Sequence, residues 1–276
     1  MRRIAVYGKG GIGKSTISTH LAAAWAASGL RVMLVGCDPK ADSTRALLGH
    51  RSTPLLDRYE ELVASADSGG ASSSLRGLIE VGFAGVRCVE IGGPEPGVGC
   101  AGRGISMALE LMEQSNAFAD LDVVVFDILG DIVCGGFAVP MRLGFAREVY
   151  IVTSGEYSAL YAANNICRGM RSLQATLGGI IANCRGLPAE KQLVETLAHA
   201  VGSTLIGTIP RSGAFPRSAM VGKTIIESVP ESAEAGQIVR LSQAILDNQN
   251  LIVPSPLDDA ALDELAAACL DSGVEW

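Results

Sequence analysis

The sequence predicts an α/β fold in which one mainly parallel sheet carries helices on both faces. Short apolar runs typical of buried strands alternate with longer stretches of helical periodicity along nearly the whole chain. Glycine-rich or polar segments follow several of these runs directly, as expected where a ligand lies at the carboxyl ends of parallel strands. No linker or internal repeat divides the chain, so we expect a single domain over residues 1–276.

The apolar runs and the helical stretches can be placed in order. Strands are predicted at residues 3–7, 31–35, 86–91, 121–127, 148–153, 177–182 and 204–210. Helices are predicted at residues 15–28, 105–114, 156–175, 188–201, 233–247 and 257–270. Residues 51–77 are polar and rich in serine and glycine, which predicts a surface helix and a loop. The glycines and prolines of residues 92–104 predict irregular structure.

The first predicted strand leads into a phosphate-binding P-loop. Residues Gly8–Ser15 match G-x-x-x-x-G-K-[ST], and a strand, a glycine loop and a helix in that order are the context that this motif requires. Its glycines let backbone N–H groups converge on phosphate oxygens at a helix N-terminus. We expect Lys14 to neutralise the β- and γ-phosphates and Ser15 to ligate Mg²⁺. The sequence therefore predicts a P-loop NTPase whose nucleotide contacts are Gly8, Lys9, Gly10, Gly11, Ile12, Gly13, Lys14, Ser15 and Thr16.

Carboxylates follow two other predicted strands. Asp127 comes after four apolar residues, as in a Walker B strand, where it would support Mg²⁺ through water. Asp131 lies four residues further on, where it could orient or deprotonate an attacking water. Asp38 and Asp42 flank Lys40 in the loop after the second strand, and such a loop can sense a γ-phosphate.

The chain has seven cysteines, an odd number that favours metal binding or burial over disulfides. Cys100 and Cys134 both lie in glycine-rich loops, which suit an iron–sulfur cluster. Two thiolates cannot fill a four-thiolate site, but two chains together would supply four. From the residues alone, it is equally possible that Cys100 and Cys134 are buried structural cysteines. Burial without a metal is expected for Cys37, Cys88, Cys167, Cys184 and Cys269.

Charge and hydropathy exclude several other roles. The net charge is -7, which argues against a nucleic-acid-binding surface, since phosphate contacts need clustered lysine and arginine. No run of 18 apolar residues occurs, and the N-terminus leads straight into a strand. We therefore expect a cytoplasmic protein that has no membrane span.

Taken together, six segments resemble the nitrogenase iron protein and its relatives. They are residues 8–15, 36–44, 92–104, 127–131, 133–137 and 161–165. The resemblance extends from residue 4 to about residue 270. It implies a homodimer in which Cys100 and Cys134 of each subunit hold one shared [4Fe-4S] cluster, with MgATP at each P-loop. It also implies that a low-potential donor such as ferredoxin or flavodoxin supplies electrons, which pass to a separate catalytic component.

The resemblance also implies roles for single residues. Lys9 would act across the dimer interface, Asp38, Lys40 and Asp42 would form switch I, and switch II would begin at residues 127–131. Arg103 would lie on the surface that docks the catalytic component, and it is an ADP-ribosylation site in some relatives. Asn183 and Pro210 would contact the nucleotide base.

Several departures leave the catalytic partner open. Ser212 stands where relatives usually have an aspartate near the base, Ile238 stands where they have a tyrosine, and the chain stops soon after Cys269. Ala41 and the residues before Cys100 favour the nitrogenase-like pattern over the tetrapyrrole-reducing branch. The partner could be nitrogenase or a nitrogenase-like enzyme such as the methylthio-alkane reductase.

Two other classes of protein share part of this pattern. An iron–sulfur carrier scaffold shares the P-loop but usually presents C-x-x-C, which this chain lacks. A positioning ATPase of the MinD/ParA type would account for Lys9, but it needs a basic patch or a basic terminal helix. The terminal helix here is acidic instead.

Overall fold

Eight strands form one sheet in this computed structural model, which describes residues 1–59, 75–93, 101–130, 136 and 138–270. The strands are β1 (Arg2–Gly8), β2 (Val32–Gly36), β3 (Glu80–Val81), β4 (Arg87–Glu90), β5 (Val123–Asp127), β6 (Glu148–Thr153), β7 (Leu177–Asn183) and β8 (Leu205–Ile209). Their order across the sheet is β3-β4-β2-β5-β1-β6-β7-β8. Among the described strand pairs, β3 and β4 are antiparallel and the others are parallel, and Leu177 of β7 also forms an isolated antiparallel bridge with Ile252. The predicted mainly parallel sheet is confirmed.

Helices connect these strands and cover the sheet. They are α1 (Lys14–Ala27), α2 (Arg45–Leu48), α3 (Ala101–Gln114), α4 (Val139–Arg142), α5 (Tyr157–Leu173), α6 (Glu190–Ala200), α7 (Ala214–Met220), α8 (Ile225–Ser228), α9 (Ala233–Asp247) and α10 (Asp259–Leu270). The longer helices lie within a few residues of their predicted bounds. The elements that prediction missed are β3, α2, α4, α7 and α8, which are too short to show a period. No helix in the described part of the chain is long and apolar enough to cross a membrane.

The sheet is buried on both faces, which agrees with the predicted layers. Along β1, Ile4 and Val6 belong to an apolar cluster that includes α1 and α9. Ala5 and Tyr7, which alternate with them, belong to a second cluster that includes α3, α5 and α6. Because helices cover both faces of the sheet, both sets of alternating side chains are buried, and the strands appear in the sequence as continuous apolar runs.

Helix α1 is buried on nearly every side rather than along one face. All residues from Ile17 to Ala26 are buried, because α1 lies between the sheet and α9. Trp25 is 1% exposed and donates its indole N–H to the Ser242 carbonyl of α9 at 3.0 Å. The helix that follows the P-loop is therefore fixed to the sheet on one side and to α9 on the other.

One prediction of irregular structure was wrong in part. Residues 101–104 begin α3 although they contain two glycines, each of which costs a helix roughly 1 kcal/mol relative to alanine. Close packing favours glycine at position 104, where a Cβ would lie 3.0 Å from Leu56 Cδ1. Residues 94–100, and residues 60–74 of the predicted surface segment, lie outside the described residues.

His20 of α1 is a buried neutral imidazole with both ring nitrogens bonded. Nε2 accepts the Ile225 N–H at 3.1 Å, so Nδ1 must carry the proton that it shares with the Thr16 carbonyl at 2.6 Å. Burial lowers the pKa of His20 to about 4, and the bond to Thr16 opposes this only partly. The ring ties α1 to α8 in its uncharged form only.

We expect His20 to weaken the fold as the pH falls. Below about pH 6.5 the unfolded chain takes up a proton at this ring and the folded chain does not, so the free energy of unfolding falls by about 2 kcal/mol between pH 7.5 and pH 5. His20→Gln should remove most of this slope, while the exposed His199→Gln should keep it. Urea unfolding at the two pH values measures the difference. Equal slopes in the wild type and in His20→Gln would show that His20 does not contribute.

Candidate nucleotide and cluster site

Three predicted site segments meet at one edge of the sheet. Asp127 at the end of β5 is in register with Val6 of β1 on one side and with Gly36 of β2 on the other. The Cys37 N–H donates to the Asp127 carbonyl at 2.9 Å. Because these strands are parallel, the P-loop, the loop after β2 and the segment after Asp127 all leave the sheet at its carboxyl edge.

Two P-loop glycines have no room for a side chain. A Cβ on Gly8 would lie 2.3 Å from the Val152 carbonyl oxygen, and a Cβ on Gly13 would lie 2.3 Å from Asn183 Nδ2. Gly13 also has a φ of 104°, a conformation that other residues rarely adopt. The loop therefore packs against β6 and β7 through its backbone, in the form expected of a phosphate cradle.

Lys14 and the start of the predicted switch II are in contact. Lys14 is buried at the start of α1, and its Nζ donates to the Lys9 carbonyl at 3.1 Å. A Cβ on Gly130 would lie 2.6 Å from Gly10 N and 2.9 Å from Lys14 Nζ. A phosphate held by Lys14 would therefore lie beside the segment that leads to Asp131, which itself is outside the described residues.

Asp127 is a buried carboxylate that three hydroxyl groups contact. It is 1% exposed, and Ser43 Oγ donates to it at 2.6 Å and Ser18 Oγ at 3.3 Å. Burial raises the pKa of Asp127, while hydrogen bonds from Ser15 and Ser43 and the charge of Lys14 oppose this. A serine hydroxyl and a carboxylate held together are oxygen donors of the kind that Mg²⁺ prefers, so the residues fit MgATP.

The predicted switch I residues are divided between two arrangements. Asp38 accepts the Lys40 N–H at 3.0 Å, and the Lys40 ammonium lies 3.9 Å from its second oxygen. Asp42 instead lines a cavity of about 350 Å³ together with Ser15 and Thr16. Asp42 and the expected Mg²⁺ ligand Ser15 thus line the same cavity, while Asp38 and Lys40 pair with each other.

Lys9, the lysine expected to act across a dimer interface, has a partner within its own chain. Its Nζ donates to Ser158 Oγ at 2.7 Å, in the first turn of α5. The side chain therefore has a defined position in the single chain, and any action on a second subunit would require this hydrogen bond to break.

The end of β7 and the loop after it hold the P-loop, and the sequence did not predict the contact of Arg185. Asn183 Nδ2 donates to the Ile12 carbonyl at 2.6 Å, and Arg185 Nη2 donates to the Gly11 carbonyl at 2.6 Å. The Glu190 carboxylate in turn accepts backbone N–H groups from four residues. They are Gly155, Arg185, Gly186 and Leu187. An acidic residue in the first turn of a predicted helix was the one sequence signal for Glu190.

The structure describes the two residues expected to contact the nucleotide base and the serine at position 212. Asn183 supports the P-loop, as described, and Pro210 directly follows β8. Ser212 Oγ donates to the Glu234 carboxylate at 2.6 Å, and this bond lowers the pKa of Glu234. A carboxylate is thus present beside position 212 although the residue there is a serine.

The two segments that carry the predicted cluster cysteines approach each other. Cys100 and Cys134 lie outside the described residues, but each is followed two positions later by a described glycine. A Cβ on Gly136 would lie 3.2 Å from Gly102 N and 3.3 Å from Gly102 Cα. Backbone contact at this point fits a site to which both cysteines contribute. Arg103 follows Gly102 and is exposed.

The other described cysteines agree with the prediction of burial. Cys37, Cys88 and Cys167 are buried and Cys184 is half-buried, and all four are free thiols. Burial raises the pKa of Cys88 and of Cys167 to about 12 and that of Cys184 to about 11. Within the described ranges no group of three or more histidine, cysteine or acidic side chains is placed to hold a metal. The Cys269 side chain is not among those described.

The fold and the P-loop define the class of single-domain P-loop NTPases, and solved structures share that fold. The chain superimposes on the cell division ATPase MinD of Pyrococcus furiosus with a TM-score of 0.68 and 19% identity, covering 89% of this chain and 99% of MinD. A ParA family ATPase of Chlorobium tepidum matches with a TM-score of 0.67 and 20% identity, covering 88% and 98%. At this level of identity the likeness concerns the fold alone.

Sequence comparison places the chain more narrowly. Residues 2–270 match the model of the 4Fe-4S iron sulfur cluster binding proteins, NifH/frxC family, and the chain belongs to that family. Nitrogenase iron protein 2 of Methanothermobacter thermautotrophicus is 52% identical, over 96% of this chain and 97% of that protein. The nitrogenase iron protein of Methanospirillum hungatei is 47% identical, over 98% and 96%. The expected resemblance is confirmed, and a [4Fe-4S] cluster and MgATP are the cofactors of this family.

We expect Arg185 to contribute to nucleotide binding through the P-loop. Arg185→Gln should weaken MgATP binding by about three- to tenfold, close to 1 kcal/mol, because a charge-assisted bond to the Gly11 carbonyl is lost. Lys191→Gln removes the same charge from an exposed position on α6 and serves as the control. Isothermal titration with MgATP measures both. Equal affinities for the two variants would contradict the role of Arg185.

Proposed function

We propose that this chain is the ATP-hydrolysing reductase component of a nitrogenase or nitrogenase-like system. A homodimer would hold one bridging [4Fe-4S] cluster and would couple MgATP hydrolysis to electron delivery into a separate catalytic component. The observation that carries the proposal is the convergence of two contacts. Gly130 packs on Gly10 and Lys14, and Gly136, six residues later, packs on Gly102 of the other cysteine segment.

The nucleotide end of the site has a division of roles. The backbone from Gly8 to Thr16 would bind the phosphates, with Lys14 neutralising charge on the transferred group. Ser15 would ligate Mg²⁺ directly, and Asp127 would hold it through water. Asp131 would orient and deprotonate the attacking water. The burial of Lys14 and Asp127 supports these assignments, because electrostatic interactions are stronger away from bulk water.

The cluster end requires a second copy of the chain. Cys100 and Cys134 supply two thiolates, so two subunits would provide the four that a [4Fe-4S] cluster takes. When bound, the cluster would supply the low-potential electron. Lys9 would leave Ser158 and reach the partner's nucleotide when the dimer closes, which would make closure dependent on ATP.

The catalytic partner would dock on the surface that includes Arg103. Arg103 and Met107 are exposed one turn apart on α3, the helix that begins directly after the Cys100 segment. A low-potential ferredoxin or flavodoxin would reduce the cluster. Nitrogenase and the methylthio-alkane reductase remain the two candidate partners. Membership of the NifH/frxC family favours the reductase role over a positioning role of the MinD/ParA type. The MinD and ParA proteins share only the fold with this chain.

The first test removes the cluster ligands. We expect Cys100→Ala and Cys134→Ala each to lose iron and the brown absorbance while still binding MgATP, because their thiols are separate from the P-loop. Cys184→Ala, which changes a half-buried free thiol, should retain iron. Iron analysis of the purified proteins measures this. Full iron content in both Cys100→Ala and Cys134→Ala would overturn the shared-cluster assignment.

The second test addresses hydrolysis. Asp131→Asn should bind MgATP with near-normal affinity but should hydrolyse it on the order of 10²-fold or more slowly, as expected for the loss of a general base. Binding by titration and phosphate release under saturating MgATP separate the two effects. An unchanged rate of hydrolysis would assign the proton acceptor to another group.

A further inference from the structure

The segment that leads to Cys100 rests directly on the predicted switch I loop. A Cβ on Gly93 would lie 2.9 Å from Pro39 Cγ and 3.0 Å from Pro39 Cβ. A Cβ on the preceding Gly92 would lie 2.5 Å from Pro54 Cβ. Because the contact leaves no room for a side chain, a shift of Pro39 towards Gly93 would displace the backbone there.

Glu90, at the end of β4, joins the same two segments by hydrogen bonds. Its side chain is 1% exposed, and Oε1 accepts the Thr44 N–H at 2.6 Å and the Thr44 hydroxyl at 2.8 Å. Oε2 is buried without a hydrogen-bond partner. A Cβ on Gly36 would lie only 1.9 Å from Oε2, so the carboxylate fills the space beside the end of β2.

Thr44 is connected through its neighbour to the nucleotide site. Ser43 Oγ donates to Asp127 at 2.6 Å, and Thr19 Oγ1 of α1 donates to the Ser43 carbonyl at 2.6 Å. A continuous chain of buried contacts therefore runs from Asp127 through Ser43 and Thr44 to Glu90. Buried carboxyl groups, Asp127 and Glu90, thus accept a hydrogen bond of 2.6 Å at each end of this chain.

We propose that Glu90 is a positioning residue that couples switch I to the Cys100 side of the cluster. Switch II is joined to Cys134 by chain continuity. Switch I is joined to the Cys100 segment by the Glu90–Thr44 hydrogen bonds and by the packing of Pro39 on Gly93. Each nucleotide-sensing loop thus controls one of the two cysteine segments of a subunit. The inference rests on the proposed function, because it assigns a second route for the same coupling.

The experiment measures how MgATP changes access to the cluster. Iron release to a chelator is followed in the reduced protein with and without saturating MgATP, and the ratio of the two rates reports coupling. We expect MgATP to accelerate release in the wild type. In Glu90→Ala the ratio should fall by about twofold or more, with near-normal MgATP affinity, because one of two coupling routes is cut.

Matched variants separate coupling from stability. Glu90→Gln keeps an oxygen that can accept both Thr44 bonds and should keep the wild-type ratio. Glu195→Ala, at an exposed position on α6, should also keep it. Gly93→Ala should lower the ratio because its Cβ displaces Pro39, whereas Gly77→Ala, where a Cβ meets nothing within 4 Å, should not. If Glu90→Ala fails to fold, the comparison of Gly93→Ala with Gly77→Ala still tests whether switch I is coupled to the Cys100 segment.

A second measurement does not use the cluster. In cluster-free Cys100→Ala, amide hydrogen exchange of residues 88–93 is compared with and without Mg²⁺ and a non-hydrolysable ATP analogue. Exchange should change with the nucleotide, and adding Glu90→Ala should reduce that change, because only the packing of Pro39 on Gly93 then remains.

The two proposals fail in different ways. If MgATP has no effect on iron release from the wild type, the proposed function is wrong and the coupling role falls with it. If the wild type responds while Glu90→Ala keeps the full ratio, the role of Glu90 is overturned whatever the result for Gly93→Ala, and the proposed function stands. An exchange response at residues 88–93 that Glu90→Ala leaves undiminished would also overturn the role of Glu90.

Discussion

The burial of Asp127 at the end of β5 is the constraint on which the site depends. A carboxylate that is 1% exposed is costly unless donors and positive charge surround it. Ser15, Ser43 and Lys14 provide these, and each belongs to a segment that leaves a neighbouring strand. The P-loop and switch I are therefore held at Asp127 by the same interactions that stabilise its charge. Loss of a bound cation or phosphate would change the electrostatic environment of this carboxylate.

The parallel sheet explains how nucleotide and cluster segments become neighbours. Strands β1, β2, β4 and β5 all end at one edge, so the segments that follow them meet there. Glycines at Gly93, Gly130 and Gly136 remove the side chains that would separate these segments. Close backbone packing of this kind transmits small displacements, since it leaves few voids to absorb them. This geometry is compatible with the proposed coupling between the nucleotide and the cluster.

Fold and family carry different information about this chain. MinD and ParA proteins share the architecture at about 20% identity, so the sheet and the P-loop alone do not distinguish positioning ATPases from reductases. The NifH/frxC match and the nitrogenase iron proteins at about half identity make that distinction. Local departures remain, of which Ser212 is the clearest. Its bond to Glu234 brings a carboxylate from the first turn of α9 to position 212.

Local patterns in the sequence determined the main strands, the P-loop and the position of Asp127, because each depends on a few consecutive residues and their hydrophobic period. Short elements such as β3 and α2 carry no such period and were missed. Tertiary structure alone decided that Arg185 binds the P-loop, that α3 begins at Ala101, and that Glu90 holds Thr44 from 46 residues away. These contacts arise only when distant segments pack, so the residues that make them have no signature in the chain itself.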